Sequence, residues 1–423
     1  MNFNISTWQF SLLLGGVLSC VFLFDLDLNL LDKDYALYRL NTESIPPISL
    51  PRFDRIVIDS NFKQGYQIKA ADLNNDGLPD LMAVSTGMSE IFWYENPSWK
   101  KHILFDKTRD NIDLAPKDID GDGDIDLALA ARFNLGNSTA GGYVYWLENL
   151  GAGLSWQSHL IDSIPTSHRL RWADVDGDKV DELINLPIIG RGAVRPNYQQ
   201  GVEFCYYEIP ESPPGDPWRK IIIDTSLHMA HGLQLVQWPD SSNWSMLTAS
   251  FEGVNLFATN IPDPEHSWTR IRLGGGQLGI RPGVGSSEIG LGKLGSLANH
   301  FLATIEPWHG DKVVLYQPDD QAKLWHRSVI DSSFIDGHAL LTADLNHDGY
   351  DEIIAGHRGG DHSLYFYQFD RQNKEWNRYD LDRGGMSAAG LCLWDFNHDG
   401  LLDIAACGSA TNNIVLYKNS GQP

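Results

Sequence analysis

Cysteine is scarce, with four residues in a chain of 423, too few for a disulfide scaffold. Cys20 falls in an apolar leader and Cys205 stands alone. Cys392 and Cys407 lie on neighbouring predicted strands, where either a bridge or two buried thiols fits. Basic residues are also few: 32 Lys and Arg face 55 Asp and Glu, for a formal net charge of −23. Clustered cations able to grip nucleic acid or an anionic membrane are therefore not expected. No nucleophile elbow, phosphate loop, dinucleotide fingerprint or CxxC metal knuckle occurs. Long apolar runs are missing except for "WQFSLLLGGVLSCVFLF", which gives about 15 mostly apolar residues between Phe10 and Phe24. That length is short for a membrane span and suits a signal-peptide core. Residues 1–45 are expected to be a leader and linker, cleaved or anchoring, and the protein to be exported: periplasmic, membrane-anchored or secreted. Membrane contact is expected only through this segment; an N-terminal helix packed on the domain is the other reading.

Aromatic residues and glycine are plentiful, with 14 Trp, 15 Tyr, 17 Phe and 40 Gly. With helical periodicity absent past the leader, this mixture predicts many short strands joined by tight turns. A strand opening on Trp recurs at Trp99, Trp156, Trp218, Trp268, Trp325 and Trp376, with the full form W-x-x-x-x-I-D at Trp156, Trp218 and Trp325, and Phe53 takes the same place in "FDRIVID". These markers divide the chain into units of about 45 to 60 residues. Each unit reads as four strands, which is the period of a β-propeller. The fold expected is all-β, a seven-bladed β-propeller over 52–419. The N-terminal strand should pair into the last blade, because a closed ring removes two open sheet edges. Ile68, Leu114, Leu170, Leu233, Leu340 and Leu391 recur at one place in the strand before each loop and should face the neighbouring blade.

Five units carry an acidic nonapeptide: "DLNNDGLPD", "DIDGDGDID", "DVDGDKVDE", "DLNHDGYDE" and "DFNHDGLLD". Oxygen donors stand at positions 1, 3, 5 and 9. They are Asp72, Asn74, Asp76 and Asp80; Asp118, Asp120, Asp122 and Asp126; and Asp174, Asp176, Asp178 and Glu182. The last two sets are Asp344, Asn346, Asp348 and Glu352, then Asp395, Asn397, Asp399 and Asp403. Hard oxygens at alternating positions around a glycine turn are what calcium requires. About five structural calcium ions are expected. These loops resemble the FG-GAP or VCBS calcium-bearing repeat of integrin α-subunits and of many exported bacterial proteins. That resemblance implies a propeller and leaves function open.

Six residues before the loop, at the start of the predicted innermost strand, the units carry Tyr66, Ile112, His168, His231, Glu288, His338 and Ala389. In a propeller these converge on the central channel. His168, His231, His338 and Glu288 form a candidate site for one Zn, Mn or Mg ion at the channel mouth; a hydrated polar lining is the bland alternative. Loops after the second strand of each unit should emerge at the same mouth. They and the "RPG" segment supply candidate ligand-binding residues Arg132, Arg191, Arg195, Glu252, Arg281 and Trp308. Aromatics suit sugar rings and Arg forks suit carboxylates, so a small sugar or uronide is the expected ligand.

The stretches "SHRLRWADVDGDKVDELINLPIIGRG", "HGLQLV" and "DGHALLTADLNHDGYDEIIAGHRGGD" are similar to the propeller module of aldos-2-ulose dehydratase. The resemblance implies a sugar-dehydrating lyase site at His168, His231 and His338, with the loop around His357 and Arg358. The cupin modules of that enzyme are expected to be absent. Oligogalacturonate lyases, seven-bladed propellers with a metal on three His and an amide side chain, offer an analogy. A carbon–oxygen lyase is therefore expected, using His357, His309, Tyr66 or Arg358 in acid–base work. The alternative is a non-catalytic glycan- or protein-binding propeller.

Overall fold

The computed structural model describes residues 50–238, 241, 243–259, 268–296 and 298–421. The apolar leader, with Cys20, lies outside them. The described residues form twenty-eight strands, β1 to β28 in chain order, in seven four-stranded sheets. This is the seven-bladed propeller that the repeat count predicts.

Seven inner strands surround the axis: β2 (Gly65–Ala71), β6 (Asp113–Lys117), β10 (Arg169–Ala173), β14 (Gly232–Gln237), β18 (Ile289–Lys293), β22 (Gly337–Ala343) and β26 (Ala388–Trp394). The strand after each calcium-type loop, such as "DLMAVS" or "DIAACG", is apolar at nearly every place. It is buried along its whole length, as a strand sandwiched between two neighbouring blades must be. Outer strands such as "FDRIVID" alternate between partial burial and exposure.

Each recurrent marker strand is the outermost strand of the preceding sheet, so the sequence unit is offset from the blade by one strand. That offset closes the ring. β1 (Phe53–Asp59) pairs antiparallel with β28 (Ile414–Asn419), with Arg55 opposite Tyr417 and Val57 opposite Val415. The sheet order β1-β28-β27-β26 places the first strand outermost in the last blade, where β27 is Asp403–Gly408. Arg55 Nε also donates to Asp382 Oδ2 at 2.7 Å.

Apolar cores lie between blades. Ile68 packs with Phe62, Leu81 and Leu416 across the closing junction, and Leu114 packs with Leu73 and Trp93. Leu170, Leu233, Leu340 and Leu391 occupy equivalent junctions. Cys205, Cys392 and Cys407 are free thiols, so the bridge that strand adjacency permits is not formed.

Candidate functional site

His168 and His231 stand just before β10 and β14, His338 is the second residue of β22, and the three meet at the axis. His168, His231 and His338 are fully buried. The His231 ring lies 4.6 Å from that of His168 and 5.0 Å from that of His338, centroid to centroid. His309 enters from the loop after the strand His300–Glu306, 4.9 Å from His231 and 5.0 Å from His338. Trp308 stacks on His309 at 4.3 Å.

Hydrogen bonds fix the tautomers. His338 Nδ1 donates to the Ala389 carbonyl at 2.7 Å, which leaves Nε2 as a lone pair, 3.2 Å from the Tyr66 hydroxyl. His231 Nδ1 lies 2.9 Å from Glu288 Oε1 and donates to it, which leaves its Nε2 as an acceptor for His309 Nε2 at 3.2 Å. His309 Nδ1 faces Arg358 Nη2 at 3.0 Å and Asp336 Oδ1 at 3.4 Å. Ligand nitrogens of His231, His309 and His338 all lie within 4.8 Å of one another. His231 and His338 each donate Nδ1 to an outer acceptor, Glu288 or a carbonyl, the arrangement that orients imidazoles toward a metal; His309 Nδ1 accepts from Arg358, so its Nε2 carries the proton and must release it for His309 to join them.

This corrects the expected ligand set. Glu288 Oε1 is engaged by His231 and by Arg169, whose Nη2 donates to it at 2.6 Å, and Glu288 is not among the three residues whose nitrogens converge. His168 Nε2 is taken by the Tyr66 hydroxyl at 2.7 Å and by Arg169 Nη1 at 3.2 Å. His309, expected as a base, stands among the converging nitrogens. Burial first, then nearby charges, keep His168, His309 and His338 well below the usual imidazole range. His231 is also lowered by burial, against the pull of Glu288. Burial alone would push Glu288 up, but Arg169 and His231 outweigh it and hold the carboxyl at about 2. All four imidazoles are therefore neutral at pH 7, as ligation requires.

Other expected residues are placed elsewhere. His357 packs against Phe334 and Tyr365, donates Nδ1 to the Gly359 carbonyl and meets Asp361; it does not touch the cluster. Glu252 binds His228 and Arg281, and Arg195 donates to Tyr198. Arg191 donates to the carbonyls of Thr139 and Ser163. Among the described residues no contact joins these, or Arg132, to the histidines; of the expected loop residues, Trp308 and Arg358 reach them. Arg169 and Asp336 went unread, although Arg169 directly follows His168.

In the acidic loops, Asp118, Asp120 and Asp122 bring oxygens within 4.8 Å of one another, as do Asp174, Asp176 and Glu182. Backbone amides shape each turn: Asp72 accepts from Asp76 at 3.1 Å and Gly77 at 2.8 Å, and Asp395 from Asp399 at 3.1 Å and Gly400 at 2.8 Å. The ninth-position carboxylate is buried; where it is Asp it accepts two backbone amides, as Asp80 does from Leu73 at 3.1 Å and Asn96 at 2.8 Å, and Glu182 and Glu352 accept one each. Burial, with neighbouring carboxylates adding to it, pushes Asp80 up to about 7 and Glu182 to about 8. A divalent cation would relieve that repulsion, so the donor sets fit calcium.

Residues 141–319 match the family described as aldos-2-ulose dehydratase, β-propeller domain. Residues 72–129 and 344–406 match the FG-GAP-like repeat. The chain is similar to the dehydratase propeller. No curated protein matches the chain. Among solved structures, BBS1N in its crystal complex with ARL6DN, soaked with lead, shares 14% identity at a TM-score of 0.51, over 87% of this chain and 96% of that one. The mercury-soaked crystal of the same complex gives 13% and 0.52, over 88% and 96%. Likeness at that identity concerns the fold alone.

Proposed function

We propose that this dehydratase-like propeller is a metal-dependent carbon–oxygen lyase that acts on a carbohydrate by β-elimination. The observation that carries the proposal is the convergence of His231, His309 and His338 beside the Tyr66–His168 pair, with His231 and His338 oriented from behind. Three imidazoles suit zinc or manganese better than magnesium, which prefers oxygen donors. An ion held there supplies Lewis acidity that polarises a sugar carbonyl and acidifies the adjacent C–H.

Tyr66 and His168 then move the proton. The phenol oxygen takes the C–H proton as its own proton passes to His168 Nε2, which holds a lone pair at neutral pH. The electron pair of the broken C–H bond forms the double bond and expels the β-hydroxyl. The proton returns from His168 through Tyr66 to that hydroxyl, so water leaves and the pair is restored. Arg169, beside both His168 and Glu288, keeps Glu288 ionised and His231 in the required tautomer. Calcium in the five acidic loops stiffens the blade ends, and an exported location, inferred from the leader, suits such sites. Extracellular calcium modules work at roughly 10⁻⁴–10⁻³ M.

The test is a screen of purified protein against anhydro-sugars, osones and uronides, following ultraviolet absorbance of unsaturated products. One transition metal per chain beyond calcium is expected, with loss of that metal in His309→Ala. Tyr66→Phe should lower kcat by about 10²-fold or more with metal content unchanged. Full turnover in metal-free protein or in Tyr66→Phe would sink this mechanism. A protein with neither transition metal nor product would be a binding propeller.

A further inference from the structure

Next to the histidine cluster the central channel holds a cavity of about 360 Å³, within the roughly 300–1,000 Å³ of small-molecule sites. Its polar lining comes from Gln67 and Lys69 on β2, Arg169 and Arg171 on β10, Gln234 on β14 and Thr342 on β22. Residues two apart on a strand share a face, so the pairs Gln67/Lys69 and Arg169/Arg171 point the same way. Cations thus concentrate at the axis of a chain whose net charge is −23.

These cations are incompletely matched. Arg171 Nη1 donates to Asp113 Oδ2 at 3.0 Å and to the Leu170 carbonyl at 2.7 Å. Its Nε and Nη2 have no acceptor among the described residues. Lys69 Nζ stands 3.9 Å from Asp113 Oδ1, beyond hydrogen-bond reach, and has no other anionic neighbour among the described residues. Lys69, Arg169 and Arg171 face Asp113 and Glu288, which leaves one positive charge in excess. Burial first, then Arg171, brings the Lys69 ammonium down to about 8, so an arriving anion relieves a strained charge.

We propose that this cavity is a carboxylate subsite, in which Lys69 and Arg171 hold the acid group of a sugar acid while Gln67, Gln234 and Thr342 meet its hydroxyls. The oxyanion pairing stands on the cavity itself, and the sugar part rests on the proposed lyase function. Arg169, Glu288 and His338 also line the cavity, so a ligand anchored by its carboxylate extends toward the histidine cluster. The geometry thereby selects an acidic over a neutral sugar.

Titration calorimetry of the full-length protein with glucuronate, glucose and inorganic phosphate tests this. Glucuronate should bind at least tenfold tighter than glucose and tighter than phosphate. Lys69→Met should weaken glucuronate at least tenfold and leave glucose unchanged, and Lys69→Arg should retain most of the affinity. Equal affinity for glucose and glucuronate, or phosphate binding tighter than either, overturns the assignment, and that comparison needs no variant. Glucuronate binding without elimination of any sugar would keep the subsite and sink the lyase reading. Turnover of neutral sugars without preference for glucuronate would do the reverse.

Discussion

A half-buried ammonium without a hydrogen-bond acceptor among the described residues is a sensitive group in this molecule. Lys69 faces Asp113, Arg169, Arg171 and Cys392. Of these, the Cys392 thiol is pushed up to about 11 by burial, above the range of a binding experiment at pH 7–9. Lys69 itself comes down to about 8, charged below that pH and neutral above it. Glucuronate affinity is therefore predicted to fall severalfold between pH 7 and pH 9, while glucose binding stays level. A flat glucuronate profile would remove Lys69 from the contact. At this scale the sequence was half legible. Equal spacing brought His168, His231 and His338 to one level, but which nitrogens converge depends on what each Nδ1 bonds. His309 is the clearest case. It lies on a loop, at a backbone φ of 51°, and no strand periodicity predicts how far such a residue reaches.

At the scale of the element, the acidic loop was the most legible feature, because its donors and its turn sit in one short stretch. Its sixth residue has a left-handed backbone in all five copies: Gly77 at 88°, Gly123 at 95°, Gly349 at 85°, Gly400 at 87° and Lys179 at 78°. A Cβ on any of these glycines would meet nothing within 4 Å, so the cost at Lys179 is one of backbone conformation and not of crowding. Lys179→Gly is predicted to stabilise the calcium-loaded protein by about 1 kcal/mol, read as a higher Tm; no gain would contradict this. Chelation should lower the Tm of the natural protein, since an ion that binds the folded state stabilises it. A transition indifferent to chelator would take calcium out of the loops.

For the whole molecule, strand count and closure followed from the repeat, because four strands per unit with one spare at the front admit few other arrangements. The channel chemistry did not follow in the same way. Arg169, Arg171 and Lys69 alternate visibly along their strands, yet their opposition across the axis exists only once seven sheets are assembled. Removing residues 53–59 is predicted to leave the β28 edge unpaired, to lower the Tm by several degrees and to produce oligomers on size-exclusion chromatography. A monomer of unchanged Tm would show that closure contributes little.

The two extremities of the described propeller also touch through their backbones: the Arg52 amide donates to the Gly421 carbonyl at 3.2 Å, and the Ser420 amide to the Arg52 carbonyl at 2.8 Å. A short linker across that gap, with a new cut in an exposed turn between blades, should yield a circular permutant that folds to the same wheel. No blade is then first, and the order in which the gene writes them is a matter of history more than of mechanics.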